Sequence, residues 1–387
     1  MDQAPENRPR GSGYNDSRDP DEVQPSASNR LPDLPRKGRG AVSNRPGRYE
    51  RGDRPREDDG WSDPADEDDL PPLATTVTID ATRSAIAWNE SPDLGFDRSI
   101  NPYRGCEHGC VYCFARPTHA WLGLSPGLDF ETKLFAKPDA PRLLAEELAK
   151  PGYKPALMAL GTNTDPYQPI ERQMKITRGV LETLAAFNHP VGIVTKSALV
   201  LRDVDILAPM ARKGLASVTL SVTTLDRDLA RNLEPRAATP PRRLETICRL
   251  AEAGVPVGVL AAPMIPALND AEMEAIFEAS AEAGATAAGY VLLRLPLEIK
   301  DLFAEWLAAH APGKAQHVLS LVRQTRRGNL YVDEFGERMR GHGPYAELLQ
   351  RRCKLALKRL GLEHRRVKHR TDLFKVPPRK GQQMTLF

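Results

Sequence analysis

Three cysteines stand within eight positions in the stretch RGCEHGCVYCFARP (residues 104–117): Cys106, Cys110 and Cys113, spaced C-x3-C-x2-C. Thiolates this dense hold either zinc or an iron–sulfur cluster. A structural zinc ion takes four ligands, and no second C-x-x-C follows. His108 would have to close the set from between the cysteines, where its ring is cramped. A cubane cluster on three cysteines leaves one iron without a protein ligand. That open iron can take a small molecule directly, which makes the cluster a catalyst rather than an electron relay. The other two cysteines, Cys248 and Cys353, stand alone in helical patterns and read as buried structural thiols.

The surrounding chemistry depends on where the chain resides. Its 387 residues contain no run of membrane-span length, and the first residues, MDQAPENRPRGSG, lack an apolar signal segment. The expected compartment is the cytoplasm, where thiols stay reduced and clustered cysteines mean metal or catalysis rather than disulfides. Apolar residues make up 41%, enough for a real core in one large or two ordinary domains. The net charge of +3 conceals a basic C-terminal end.

The elements that must position the cysteines begin after a long polar segment. Residues 1–72 are rich in Pro, Gly, Arg and Asp and read as a disordered tail, serving as a tether, an electrostatic mimic or a solubilising segment. TTVTIDATRSAIAW then reads as a strand or hairpin entering the fold. Short apolar runs follow at 98–103, 156–161, 191–196, 216–222, 256–262 and 289–295. Helical patterns at 141–149, 174–187, 202–212, 241–253, 270–283 and 299–309 alternate with them. Buried strands joined by crossover helices predict a parallel sheet. Six such units predict an α/β fold, a partial (β/α)6 barrel over 73–312, with reactive groups at the C-terminal strand ends. The cysteines follow the first of these strands. Residues 313–375 read as a helical basic region with an aromatic-containing loop at Tyr331 and Phe335, and 376–387 as a flexible tail.

The motif, with Tyr112 before its last cysteine and a strand ahead of it, resembles the radical S-adenosylmethionine superfamily. Within it, SINPYRGCEHGCVYCFARPTHAWLGLSPGLDFETKLFAK, LGTNTDPYQPIER, VTKSALVLRD, SVTTLD, LEPRAATPPRRL and LLRLP resemble the branch related to spore photoproduct lyase, over roughly 75–375. The resemblance implies a [4Fe–4S] cluster whose open iron is chelated by S-adenosylmethionine. One electron, from a donor such as a flavodoxin or ferredoxin, then yields a 5′-deoxyadenosyl radical that abstracts hydrogen from the substrate. The resemblance also implies cofactor contacts. Thr162, Asn163 and Asp165 occupy the turn that receives the methionyl ammonium, although Asp165-Pro166 also builds a turn by itself. Lys196 stands where the lyase family holds the methionyl carboxylate. Ser221 is a ribose candidate. Arg236 is either a carboxylate clamp or the internal partner of Glu234. Tyr112 offers backbone contacts to adenine or a ring that packs. Tyr167 and Tyr290 are candidate radical relays whose plainer role is packing.

One departure bears on the reaction. The lyase family carries a hydrogen-donor cysteine on the next strand, and ALMALG has none. The resemblance therefore carries the radical machinery further than it carries a lyase reaction on DNA. RNA, a peptide or a metabolite stays open as substrate, as does a non-catalytic metal protein that binds nucleic acid. Two terminal features favour DNA. Arg365, Arg366, Lys368 and Arg370 form a basic cluster suited to phosphates, or else a solvated helix face. Gln383, Leu386 and Phe387 in the final QMTLF resemble the peptide by which repair factors bind the bacterial sliding clamp, two large apolar anchors on a polar end, unless they fold back on the domain.

Overall fold

A computed structural model describes residues 33–52, 73–362 and 367–378, together with the backbone of β1 (Arg30–Leu31) and β2 (Arg56–Glu57). These two short strands pair antiparallel in a unit of their own. The other unit contains β3 (Thr76–Ile79), β4 (Ile86–Trp88), β5 (Arg98–Ile100), β6 (Tyr103–Arg104) and β7 (Lys133–Ala136). Five further strands follow, each after a helix: β8 (Met158–Leu160), β9 (Val191–Thr195), β10 (Ala216–Ser221), β11 (Val257–Met264) and β12 (Ala287–Leu292).

The apolar runs of the sequence account for the main sheet. β5, β8, β9, β10, β11 and β12 lie side by side in chain order and all run parallel. β4 adds an antiparallel edge next to β5, and no pairing joins β4 to β12, so the barrel is partial. In β9 to β11, buried residues alternate with half-buried ones (Val191, Ile193; Val218, Leu220; Val257, Val259, Ala261). The alternation is the strand's own period of two and leaves one face of the sheet fully covered and the other only partly so. The helices Ala140–Leu148, Ile176–Ala186, Val204–Arg212, Pro240–Glu252 and Met273–Glu282 each bury one apolar stripe, for example Val180, Leu181 and Leu184, in one core with the strands. TTVTIDATRSAIAW is not a hairpin. Its two strands enter different sheets, β3 pairing with β7 and β4 with β5.

The ends depart further from expectation. Residues 33–52, read as part of a disordered tail, are packed: Ala41, Val42 and Ser43 are buried. Polar contacts rather than apolar mass dock them, from the Gly40 and Ala41 amides on Glu131 to Arg45 on Glu305 and Arg48 on Glu298, which composition does not register. At the other end stand the helices Ala315–Gln324, Glu337–Arg340 and Pro344–Arg359, and Tyr331 and Phe335 lie in the loop between the first two. Residues 367–378 are not helical. They cross the N-terminal ends of β9 and β10, with the Arg370 amide donating to Gly214 O (3.0 Å) and the Lys375 amide to Phe187 O (3.0 Å). Among the described residues, no helix is long and apolar enough to cross a membrane.

Candidate functional site

The cysteine loop leaves β6 at the C-terminal side of the sheet and is held mainly through its backbone. The Cys106 amide donates to Phe130 O (3.0 Å), that of Gly109 to Cys106 O (3.3 Å), that of Val111 to Leu233 O (3.2 Å) and that of Cys113 to Cys110 O (3.1 Å). Arg116, fully buried, gathers the loop's carbonyls. Its guanidinium donates to Cys110 O (2.9 Å), Gly109 O (3.2 Å), Pro126 O (3.1 Å) and Gly127 O (2.9 Å), and to the Glu131 carboxylate (2.5 Å). Glu131 in turn accepts the amides of Gly40 (3.0 Å) and Ala41 (2.9 Å). A strap from the N-terminal segment thus lies against the cysteine loop. It passes so close that a Cβ on Gly40 would meet Gly109 O at 1.8 Å.

Cys106 and Cys110 are buried, Cys113 is half-buried, and none is in a disulfide. Burial pushes the Cys110 thiol up to about 12 and also raises Cys106 well above its ordinary value, where Asp165 and the other two cysteines add to the effect. The sulfurs are thus near enough to repel one another's negative charge. Among the described residues, however, no three His, Cys, Asp or Glu side chains converge on a point that would hold one metal ion. His108, the possible fourth zinc ligand, instead sets its Nδ1 at 3.3 Å from Asp165. The donor set therefore suits a larger thiolate-bound group with positive charge near it, and Lys196 and Arg243 supply such charge next to Cys110. It fits the iron–sulfur reading and leaves the mononuclear zinc reading without ligands.

The strand ends around this loop are densely wired. Asp165 accepts from Thr195 Oγ1 (2.7 Å) and from the amides of Tyr167 (2.9 Å) and Lys196 (2.8 Å). Burial would raise its pKa, but His108, followed by these hydrogen bonds, holds it at about 2. Its lone pairs are committed, so it shapes the mouth from within. Thr162 and Asn163 follow Gly161 at the end of β8; the Asn163 amide donates to Asn101 Oδ1 (3.1 Å), and both residues stay half-exposed. Gly161 has φ +86°, and a Cβ there would lie 1.9 Å from Val194 O, so the turn admits no side chain.

On the far side, Glu234 is fully enclosed. Arg243 and Tyr112 both donate to its carboxylate, as does Thr223 Oγ1 (2.6 Å). Burial alone would raise this acid; Arg243 first, then Lys196 and the hydroxyls, bring it below its ordinary value. The Lys196 ammonium lies 5.8 Å from the centre of the Tyr112 ring. Burial opposes its charge, and Cys110 and Glu234 outweigh that to raise its pKa. Among the described residues no salt bridge fixes this ammonium, which remains a cation at the mouth. Ser221 is buried at the end of β10, and its carbonyl accepts from Arg243 (2.9 Å).

The structure thus brings Tyr112, Thr162, Asn163, Asp165, Lys196 and Ser221 to one mouth. Arg236 is there too, paired with Glu107 (3.2 Å); its expected partner Glu234 belongs to Arg243. The basic cluster is not brought there. Lys368 and Arg370 lie beyond the N-terminal strand ends, the side opposite the cysteines, and Arg370 pairs with Asp372 (2.5 Å). Arg365, Arg366, Gln383, Leu386 and Phe387 fall outside the described residues. Cys353 is buried as expected; Cys248 is not, and its thiol donates to Glu252 (3.4 Å) on the helix surface. Tyr167 is enclosed in the core, a packing role. Sequence reasoning missed Arg116, Glu131, Glu234 with Arg243, and the strap. The one available signal was the density of Gly and Arg in KGRGAVSNRPGR ahead of a polar stretch.

Comparison with known proteins bears on this mouth. The family model described as the Radical SAM superfamily matches residues 100–279. An uncharacterized protein of Mycobacterium tuberculosis, Rv2578c, is 35% identical over 318 residues, covering 80% of this chain and 88% of that one. A protein of Methanocaldococcus jannaschii, MJ0683, is 28% identical over 173 residues, covering 45% and 62%. Among solved structures, spore photoproduct lyase complexed with dinucleoside spore photoproduct superposes with a TM-score of 0.52 at 15% identity, covering 73% of this chain and 79% of that one. A variant of that lyase with bound AdoMet and dinucleoside spore photoproduct gives a TM-score of 0.53 at 15% identity, covering 73% and 78%. At these identities the solved structures establish the fold.

Proposed function

The chain belongs to the radical SAM superfamily, and on that premise we propose that it is a radical enzyme acting on a nucleobase or lesion in DNA, in the manner of a repair lyase. The family uses a [4Fe–4S] cluster and S-adenosylmethionine, which together supply a 5′-deoxyadenosyl radical for hydrogen abstraction. Everything else falls to the chain itself. Cys106, Cys110 and Cys113 are the residues to hold the cluster, and Arg116, Glu131 and the strap keep their loop in shape. Lys196 is the cation for the methionyl carboxylate, the residues after Gly161 receive the ammonium, and Ser221 stands where a ribose would lie. Asp165 and Glu234 bind no cofactor in this reading; each fixes a wall of the mouth.

The observation that carries the reading is this three-cysteine loop at the C-terminal mouth of a partial barrel whose solved likenesses include spore photoproduct lyase complexed with dinucleoside spore photoproduct. The absence of a cysteine in β8 means that hydrogen return follows a different route from that lyase's. The QMTLF terminus adds recruitment by a sliding clamp to the same reading, and the reduced cysteines and soluble-type fold fit a cytoplasmic enzyme. The test is anaerobic: reconstituted protein, dithionite and S-adenosylmethionine are incubated with UV-irradiated DNA, unirradiated DNA, RNA or no nucleic acid, and 5′-deoxyadenosine is measured. The reading expects irradiated DNA to raise 5′-deoxyadenosine above the level without nucleic acid. Equal yields in all four arms would refute a DNA substrate. Clamp recruitment is tested by pull-down, with Leu386→Ala and Phe387→Ala abolishing capture if it is correct.

A further inference from the structure

A DNA strand at the mouth needs cations for its phosphates, and Lys368 and Arg370 are at the wrong end of the barrel. The chain after β12 offers others. Arg294, in LLRLP, follows the last parallel strand and so lies at the cysteine side. Its guanidinium stacks 4.9 Å from the centre of the Phe114 ring, the residue directly after Cys113. Its flanking residues Leu293 and Leu295 pack in one cluster with Cys110, Val111 and Tyr112. Arg326, fully buried, is braced against the same segment: one terminal nitrogen donates to Leu293 O (2.7 Å), the other to Glu337 O (2.7 Å).

Neither guanidinium has a carboxylate. Among the described residues Arg98, Arg116, Arg202, Arg243, Arg338 and Arg352 each form an ion pair with Asp or Glu, whereas Arg294 and Arg326 form none. The Glu337 carboxylate pairs with Arg327. Among the described residues Arg294 donates only to the Met339 thioether (3.6 Å), and the Nε atoms of both arginines are buried without an acceptor. Burial, and after it the charge of Arg294, brings Arg326 down to about 10, consistent with two cations held close together. A buried guanidinium without an anion is costly. Arg326 is such a group, while Arg294 is half-exposed and presents its guanidinium beside a 45%-exposed Phe114; fork-like N–H donors next to an aromatic face are what a phosphate and its adjoining base require.

We infer that Arg294, whose segment the buried Arg326 braces through Leu293 O, receives a phosphodiester of a nucleic-acid strand at the mouth, with Phe114 as the stacking surface for the neighbouring base. The inference rests on the nucleic-acid reading above and adds the place where the strand is held. The plainer alternative is that Arg294 only covers Phe114.

The experiment measures anisotropy of a fluorescein-labelled single-stranded DNA 12-mer with reconstituted protein over a series of salt concentrations. Arg326 is enclosed and its replacement threatens the fold, so Arg294 is varied. Arg294→Met is expected to weaken binding about tenfold and to lower the slope of log affinity against log salt by about 0.7, the loss of one phosphate contact. Arg294→Lys keeps the slope. Phe114→Leu weakens binding about tenfold with the slope unchanged. Arg294→Met with wild-type affinity and slope would overturn the inference while leaving DNA as the substrate. A separate thermal-shift arm uses inorganic phosphate. If wild type binds no oligonucleotide but phosphate stabilises it and not Arg294→Met, the phosphate site at Arg294 is supported and the nucleic-acid reading falls. If neither probe distinguishes Arg294→Met from wild type, the phosphate site itself is refuted.

Discussion

Replacing Glu131 by Gln changes one oxygen to an amide and tests how the cysteine loop is held. In wild type, one carboxylate oxygen accepts the Gly40 amide (3.0 Å), while the other accepts the Ala41 amide (2.9 Å) and Arg116 (2.5 Å). All of these groups are buried. A glutamine retains one acceptor oxygen and turns an N–H₂ toward groups that are themselves donors. Arg116 then keeps its four carbonyl partners but loses its counter-charge, a loss of roughly 3–5 kcal/mol for a broken buried pair. One strap amide also goes unsatisfied, at roughly 1–3 kcal/mol. These terms overlap, and the strap can detach without unfolding the barrel, so the expected local loss is about 3–4 kcal/mol. That corresponds to a roughly 140- to 700-fold drop in hydrogen-exchange protection, since 1.4 kcal/mol is a factor of ten. The assay is hydrogen exchange read by mass spectrometry on peptides covering 39–43, with peptides of 247–260 as the internal control. Protection lost at the strap with the control unchanged is the expected result. Unchanged protection at 39–43 would refute the claim that Glu131 holds the strap.

Other consequences follow from single sites. Lys196→Met removes the mouth cation that no salt bridge occupies, and S-adenosylmethionine affinity measured by calorimetry on reconstituted protein should fall about ten- to hundredfold, as for a lost charged hydrogen bond. Wild-type affinity would exclude Lys196 from the cofactor site. Gly161→Ala should destabilise by about 2–4 kcal/mol in urea unfolding, combining the left-handed backbone with overpacking against Val194 O. A loss below 1 kcal/mol would show that the turn has room. His189 is buried and neutral, facing Pro190 O with Nδ1 (3.0 Å) and the Tyr153 hydroxyl with Nε2 (2.8 Å). Burial lowers its pKa from 6.5 to about 4. The unfolded chain therefore takes up this proton first as pH falls, and stability that is full above 6.5 declines until about pH 4, by about 3 kcal/mol. His189→Gln should flatten the stability–pH curve in that window, and an unchanged slope would remove His189 as its cause.

Much of the barrel was legible because its signals are local. VGIVT, ASVTLS and VGVLAAPM are apolar, β-branched runs of strand length, and helices with one apolar stripe separate them. The cysteine loop was legible from spacing alone. What escaped notice depends on partners distant in sequence. The strap is docked by the amides of Gly40 and Ala41 on Glu131, about ninety residues away, and neither amide has a sequence signature. Glu234 is followed by arginines at 236 and 243, and only the turn into the helix Pro240–Glu252 decides that Arg243 takes it. The basic run after 350 looked like one continuing helix. The helix ends at Arg359, and Phe374 instead packs against Tyr153, Phe187 and His189 under the barrel, carrying Lys368 and Arg370 away from the mouth.

The central claim is that three cysteines hold a cluster whose remaining iron is left for S-adenosylmethionine. The most direct measurement is iron and sulfide content after anaerobic reconstitution, with the electron paramagnetic resonance spectrum of the reduced protein before and after adding S-adenosylmethionine. The account predicts about four irons per chain, a spectrum altered by S-adenosylmethionine, and loss of both in Cys106→Ala, Cys110→Ala and Cys113→Ala. A stoichiometric zinc ion in place of iron, or a full cluster whose spectrum ignores S-adenosylmethionine, would contradict it.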